Sequence, residues 1–367
     1  MKKKKIFEGY LNIARNHQPI LWTIPFDDRH DSYEFPESLI SQYQLVSGVR
    51  LKCEIENGKV AKIVSVCDVK PDSFASRRDF NRLLPINPTE KFDFGSSEDL
   101  SIRILDLITP IGKGTRGLIV SPPRAGKTMI LEAIANDLHR IDPKLKVIIL
   151  LIDERPEEVT SFIMNTKADV FHSSLDKGTA SHILLSSFLI NHVRVEVECG
   201  NDVVILIDSL TRMGRAYNAN DRNFNNRTMS GGLGSGVLEI PRKLFGLARN
   251  IEKGGSCTII ATILKDTGSR MDEVIFQEFK GTGNSEIILD RDIAEQRTFP
   301  AINITESGTR KEELLHSLQN LDKINAIRRQ LLQMDKTAAI SYLKQKIAEY
   351  KTNHEMLENF YNSDSLS

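Results

Sequence analysis

Apolar positions fall into three textures along the 367 residues. In roughly the first 75 residues the apolar runs are short: Ile6 to Ile13, Val49 to Ile55 and Val60 to Val66, parted by turn signals such as Asn57-Gly58 and Pro25-Phe26-Asp27-Asp28. Short strands returning at tight turns predict a small barrel or meander. From about Leu100 the runs become wholly apolar, at Gly117 to Val120, Val147 to Ile152, Val203 to Ile207 and Thr258 to Ile263, and alternate with helix-compatible segments. Strands buried on both faces show no polar alternation, so an α/β unit with a parallel, helix-covered sheet is expected. Residues 76–98, rich in Ser, Asn and Pro, read as a linker or docked connection. The tail is charged and helical in period, with Leu314, Leu315, Leu318 and Leu321 three and four apart.

Composition narrows the function classes. Hydrophobic residues make up 40% of the chain and charged residues 27%, which excludes global disorder and coiled coil. With 49 Lys+Arg against 49 Asp+Glu, a protein that coats nucleic acid or anionic membrane over its whole surface is also excluded. Local charge is uneven: seven Arg/Lys face two Asp/Glu between Thr211 and Asn250, whereas Lys311 to Ser367 holds eight of each. Cys53, Cys67, Cys199 and Cys257 are scattered, which indicates neither a disulfide framework nor zinc. No run approaches the roughly 18–20 apolar residues of a bilayer span, and Glu8 and Asn12 interrupt any signal-like segment after Lys2 to Lys5. A reducing cytoplasm and no membrane partner are expected.

The strand from Gly117 runs into Ser121-Pro-Pro-Arg-Ala-Gly-Lys-Thr128 and then a helix-compatible stretch. Backbone N–H groups of such a loop cradle phosphates, Lys127 reaches the terminal ones and the Thr128 hydroxyl holds Mg²⁺. Ser121 stands where the phosphate-loop pattern has its first glycine. A second buried run ends in Asp208, at the edge where a Mg²⁺-bound phosphate sits. A third delivers Asp153-Glu154-Arg155; Glu154 is the candidate base for an attacking water, whereas Glu157 and Glu158 read as acids at a helix start. ATP and Mg²⁺ are the expected cofactors.

These segments resemble one family closely. Ile104-Leu-Asp-Leu-Ile-Thr-Pro-Ile-Gly-Lys-Gly-Thr-Arg-Gly117, the Pro-Pro-Arg-Ala-Gly-Lys-Thr loop, Leu150-Leu-Ile-Asp-Glu-Arg-Pro-Glu-Glu-Val159, Asp208-Ser-Leu-Thr-Arg-Met-Gly-Arg-Ala-Tyr-Asn218, Phe279-Lys-Gly-Thr-Gly-Asn284 and Ser307-Gly-Thr-Arg-Lys-Glu-Glu-Leu-Leu315 resemble the bacterial transcription termination factors of the Rho family. The resemblance is strong over residues 99–320, traceable over 6–98 and thin beyond. It implies a RecA-like P-loop ATPase domain (99–320) behind an OB-fold, cold-shock-like barrel (1–75), with 321–367 as a helical extension. It also implies a homohexamer with ATP sites between subunits, RNA-dependent helicase activity, and RNA polymerase and elongation factors as partners.

Carried over position by position, Pro123, Arg124, Ala125, Gly126, Lys127, Thr128 and Asp208 bind nucleotide and metal, and Glu154 activates water. Arg155 and Arg212 couple nucleotide state to neighbouring elements, Arg310 is an arginine finger aimed at the next subunit, and Phe299 packs on adenine with Met129 nearby. Single-stranded RNA is expected at two loops, through Arg227, Thr228, Gly231 and Gly232 and through Thr267, Gly268, Ser269 and Arg270; both arginines replace lysine, and the first loop is about one residue longer than the common form. In the barrel, Tyr33 matches a base-contacting aromatic. The family's Gly-Phe-Gly-Phe strand reads His17-Gln-Pro-Ile-Leu-Trp22 here, with Trp22 as partial compensation or barrel core, so weakened or altered RNA loading is expected. By that resemblance, no helical subdomain is expected ahead of the Gly9 to Ile13 strand. The alternatives are a paralogue with different RNA targets and a catalytically silent ring subunit; secretion and rotary ATPases share the sheet but not Asp153-Glu-Arg-Pro-Glu-Glu158.

Overall fold

The computed structural model describes residues 5–13, 18–23, 31–220, 230–234 and 236–363. Five strands, β1 (Lys5–Asn12), β2 (Ile20–Trp22), β3 (Ser32–Glu34), β4 (Arg50–Glu56) and β5 (Lys59–Val66), close a barrel in the order β1-β2-β3-β5-β4. Its core is the alternating inward set Phe7, Leu11, Leu21, Leu51, Cys53, Ile55, Val60, Ile63 and Val66. In β2 only Leu21 is buried; Trp22 is half-exposed on the outer face, paired with Tyr10 and Ser32. The reading of Trp22 as barrel core is therefore corrected, because period-two alternation sends it outward when Leu21 points in.

Residues 76–98 are packed rather than free. Phe80, Phe92 and Phe94 are buried, and β6 (Pro85–Ile86) pairs with β11 (Arg249–Ile251). The central sheet is built from β7 (Arg116–Ser121), β8 (Lys146–Ile152), β9 (Asp169–Ser173), β10 (Asp202–Asp208), β12 (Ser256–Leu264), β13 (Ser285–Ile288) and β14 (Gly308–Thr309) in the order β14-β13-β7-β12-β10-β8-β9. All pairings along this path are parallel except β13 with β14. Both faces are buried, so the wholly apolar runs follow directly. Ile119, Ile149, Leu151, Val204 and Ile260 pack to one side; Leu118, Val120, Ile148, Ile205 and Ile259 pack to the other. Parallel alignment gathers the strands' C-terminal ends at one edge, where ligands bind in open α/β sheets.

Helices Leu318–Leu331, Lys336–Ala348 and Asn353–Ser363 follow the last strand, and Ile324, Ile327, Leu331, Ile340, Leu343 and Ile347 enter the same core as β7 and β8. The leucine spacing misled at its start. Ser317 caps a helix that begins at Leu318, Leu314 and Leu315 lie in and beside a separate short turn, and Leu314 and Leu318 are exposed.

The barrel is bolted to the α/β unit by buried polar contacts. Arg50 Nε donates to Glu196 Oε1 at 2.9 Å, and its Nη atoms bond Glu8 at 2.7 Å and Asp68 at 2.6 Å. Glu196 also accepts from Asn201 at 2.5 Å. Gly48, at φ 97°, lets the barrel approach closely, since a Cβ there would sit 2.7 Å from the His192 backbone nitrogen.

Candidate active site

β7 ends at buried Ser121, whose hydroxyl donates to the Pro122 carbonyl at 2.8 Å. The chain then turns with Arg124 at φ 65° and Gly126 at φ 91°, the second a left-handed position favouring glycine. Buried Ala125 holds the loop to the core, and Pro123 and Arg124 are exposed. Gly126 caps the 15-residue helix Lys127–Ile141, so its first N–H groups face the loop mouth beside Lys127 and Thr128.

Three other strands complete the site. Asp208, at the end of β10, is fully buried; its Oδ2 lies 2.5 Å from Lys127 Nζ and its Oδ1 accepts from the Thr262 hydroxyl at 2.7 Å. Glu154, just past β8, is also fully buried, 3.6 Å from Lys127 Nζ and 2.7 Å from Arg212 Nε. That Oε1 nevertheless has no aligned hydrogen bond, leaving it an orphaned acceptor between two cations. Arg212 is fixed in turn by an Nη1 bond to the Asp153 carbonyl at 3.1 Å.

Burial, reinforced by the Asp208 charge, pushes the Glu154 carboxyl up to about 7 against the pull of Lys127 and Arg212. Burial opposes the charge on Lys127, yet Asp208 outweighs it and holds the ammonium above its ordinary value. A carboxylate poised near neutrality suits proton abstraction. The donor set fits a magnesium nucleotide: a helix N-terminus and lysine for phosphates, with Thr128 and Asp208 for the ion. Among the described residues no group of three His, Cys, Asp or Glu forms a metal cage.

The remaining candidates fall in five places. Phe299 flanks the loop: a Cβ on Gly126 would lie 3.4 Å from its ring and 4.0 Å from Met129 Sδ. Arg155 is exposed at the N-cap of the helix Pro156–Asn165, its backbone N–H 3.4 Å from Glu154 Oε2. Arg310 follows β14 at the opposite end of the sheet. Thr309 pairs with Ser285 and Ser285 with Gly117, at the start of β7, about 13 Å of strand from Ser121. It is exposed and has no carboxylate within 4.0 Å among the described residues.

Arg227 and Thr228 lie outside the described residues, as do His17 and Lys2 to Lys4. Gly231 and Gly232 have φ 75° and 77°; Gly231 sits against the second loop, where a Cβ on it would be 2.9 Å from the Arg270 carbonyl, and Gly232 faces open space. Thr267 and Ser269 use their hydroxyls within that loop: Thr267 donates to Asp272 at 2.6 Å, and Ser269 caps the helix Arg270–Lys280. Gly268 and Arg270 are exposed beside them around an open cleft of about 390 Å³. Tyr33 is half-buried at the barrel mouth, its ring 4.6 Å edge-on from Phe7 and its hydroxyl bonded to Lys5 at 2.9 Å.

Sequence reasoning missed Thr262 and Lys344. Thr262 was signalled as a polar residue inside a wholly apolar run; Lys344, whose ammonium meets the Phe299 carbonyl, carried no signal.

A parallel sheet with phosphate loop, lysine, buried aspartate and buried glutamate at one edge defines a P-loop ATPase. The family model for the ATP synthase alpha/beta nucleotide-binding domain matches residues 101–309. A solved ATPase from the type III secretion system of pathogenic bacteria superposes with a TM-score of 0.64 at 19% identity, covering 84% of this chain and 93% of that one. Within that class the chain belongs to the family of transcription termination factor Rho. It is 49% identical to the Rho protein of Akkermansia muciniphila over 81% of this chain. With that of Haemophilus influenzae it shares 45% identity over 89% of this chain. It spans 63% of the Akkermansia relative's length and 80% of the Haemophilus relative's. Among the described residues no helix is long and apolar enough to cross a membrane.

Proposed function

We propose that this chain is an RNA-stimulated ATPase that moves along single-stranded RNA and terminates transcription. The carrying observation is the convergence of Lys127, Glu154, Asp208 and Arg212 at one sheet edge. Lys127 and the loop N–H groups bind phosphate, Thr128 and Asp208 hold the ion, and Glu154 Oε1 takes a proton from water. Magnesium supplies charge neutralisation between the phosphates. Arg212 keeps Glu154 aimed at the site, and Arg155, next in the chain, faces outward to a neighbouring element.

Arg310, exposed at the far end of the sheet, acts on the site of a second copy. That geometry supports a ring, read here as a homohexamer. Arg270, together with Arg227 and the glycine turns, grips RNA phosphates in the channel. The five-stranded barrel is read as an OB-fold whose base-contacting face is reduced, because Tyr33 is engaged by Phe7 and Lys5, and Trp22 lies on Tyr10's face instead.

The deciding measurement is ATP hydrolysis with poly-cytidine, mixed RNA, single-stranded DNA or no polymer. Stimulation by RNA above DNA is expected. Absence of hydrolysis under every condition overturns the ATPase reading, and equal stimulation by DNA overturns RNA specificity.

A further inference from the structure

The flank of the phosphate loop at Phe299 is held from the C-terminal helices. Phe299 is half-buried, its ring next to Gly126 of the phosphate loop, with Met129 Sδ also near Gly126. Its backbone carbonyl is a poor anchor by itself: Phe299 lies outside every helix and strand, between the short helix Arg291–Glu295 and the bridge at Ile302. Lys344, on the helix Lys336–Ala348, donates from Nζ to that carbonyl at 2.7 Å. Eight residues earlier on the same helix, Lys336 bonds Asp290 Oδ2 at 2.8 Å and lies 3.8 Å from Glu306 Oε1. The segment carrying Phe299 is therefore tied by ammonium groups at its start and at the aromatic residue, while Ile340, Leu343 and Ile347 bury the helix's other face in the core.

We infer that Lys344 is a positioning residue that sets Phe299 against the adenine base, making the C-terminal extension part of the ATP-recognition machinery. The inference rests on the ATPase reading above. A charge-assisted bond to a main-chain oxygen fixes backbone position, and the ring follows through one rotamer. The lysine touches no nucleotide itself. Its loss therefore leaves phosphate contacts intact and loosens only the base slot.

The test is steady-state ATPase kinetics of the full-length protein as wild type, Lys344→Met, Lys344→Arg and Phe299→Leu, with inorganic tripolyphosphate as an inhibitor that has no base. Lys344→Met is expected to raise KM for ATP about fivefold with kcat within twofold, to leave the tripolyphosphate inhibition constant unchanged, and to be rescued by Lys344→Arg. If Phe299→Leu raises KM and Lys344→Met does not, the inference is wrong and the ATPase reading stands. An equal rise in the tripolyphosphate constant means general destabilisation and also overturns it. Should Lys344→Met fail to fold by circular dichroism, Lys344→Gln takes its place with the same outcomes. A wild type that does not hydrolyse ATP fails the earlier reading instead.

Discussion

At the C-terminal end of the central sheet, Lys127, Glu154, Asp208 and Arg212 interlock, and each carboxylate is fully buried. At the other end Arg310 stands exposed with no carboxylate beside it among the described residues. The first end is expensive to build, because two buried acids repel one another and need cations to stay charged. The second costs little. Under the proposed function the site is half present in each chain, and its chemistry waits until copies meet.

Breaking the exposed half should have the larger effect. Arg310→Ala is expected to lower RNA-stimulated kcat by about 10³-fold or more. Mixing it with Lys127→Ala chains should restore measurable turnover, since some junctions then contain two intact halves; no recovery would place Arg310 in its own chain's chemistry. Glu154→Gln should reduce kcat by about 10²–10⁴-fold while ATP binding by equilibrium dialysis changes little. The same residue gives a pH signature. With its carboxyl raised to about 7, Glu154 is protonated below that value, so kcat/KM should fall as pH drops through about 7. A profile flat from pH 6 to 8 would assign the base elsewhere.

Smaller effects sharpen the contrast between channel and barrel. Arg270→Ala should raise the RNA concentration for half-maximal stimulation several-fold and reduce the salt slope by roughly one charge; unchanged salt dependence would remove Arg270 from the RNA path. Oligo-cytidine binding by the full chain without nucleotide should be weak and little selective, because each missing base stack forfeits about 1–3 kcal/mol. Tight cytidine-selective binding would show that the barrel face is competent despite Gln18 and Ile20.

Much of this was legible before any coordinates. Buried parallel strands announce themselves as Val147 to Ile152 does, and a strand leading into Gly126-Lys127-Thr128 places a phosphate site. What could not be read were contacts between residues far apart in the chain. Thr262 on Asp208 spans 54 positions, Lys344 on Phe299 spans 45 and Arg50 on Glu196 spans 146. Local pattern carries no information about such pairs. Trp22 stayed open between barrel core and outer face for a different reason: a three-residue strand is too short for alternation to be recognised, so inside and outside were indistinguishable.

The Arg50–Glu196 pair has a mechanical meaning. Glu196 is fully buried and Arg50 nearly so, and removing one partner of such a pair costs about 3–5 kcal/mol. The barrel therefore rides on the helix Thr179–Glu198 as a fixed bracket instead of swinging on a tether. Under the proposed function, the distance between the barrel mouth and the channel loops is then a constant of the molecule. A transcript touching both surfaces is measured against it, and the protein becomes a gauge for the length of unpaired RNA.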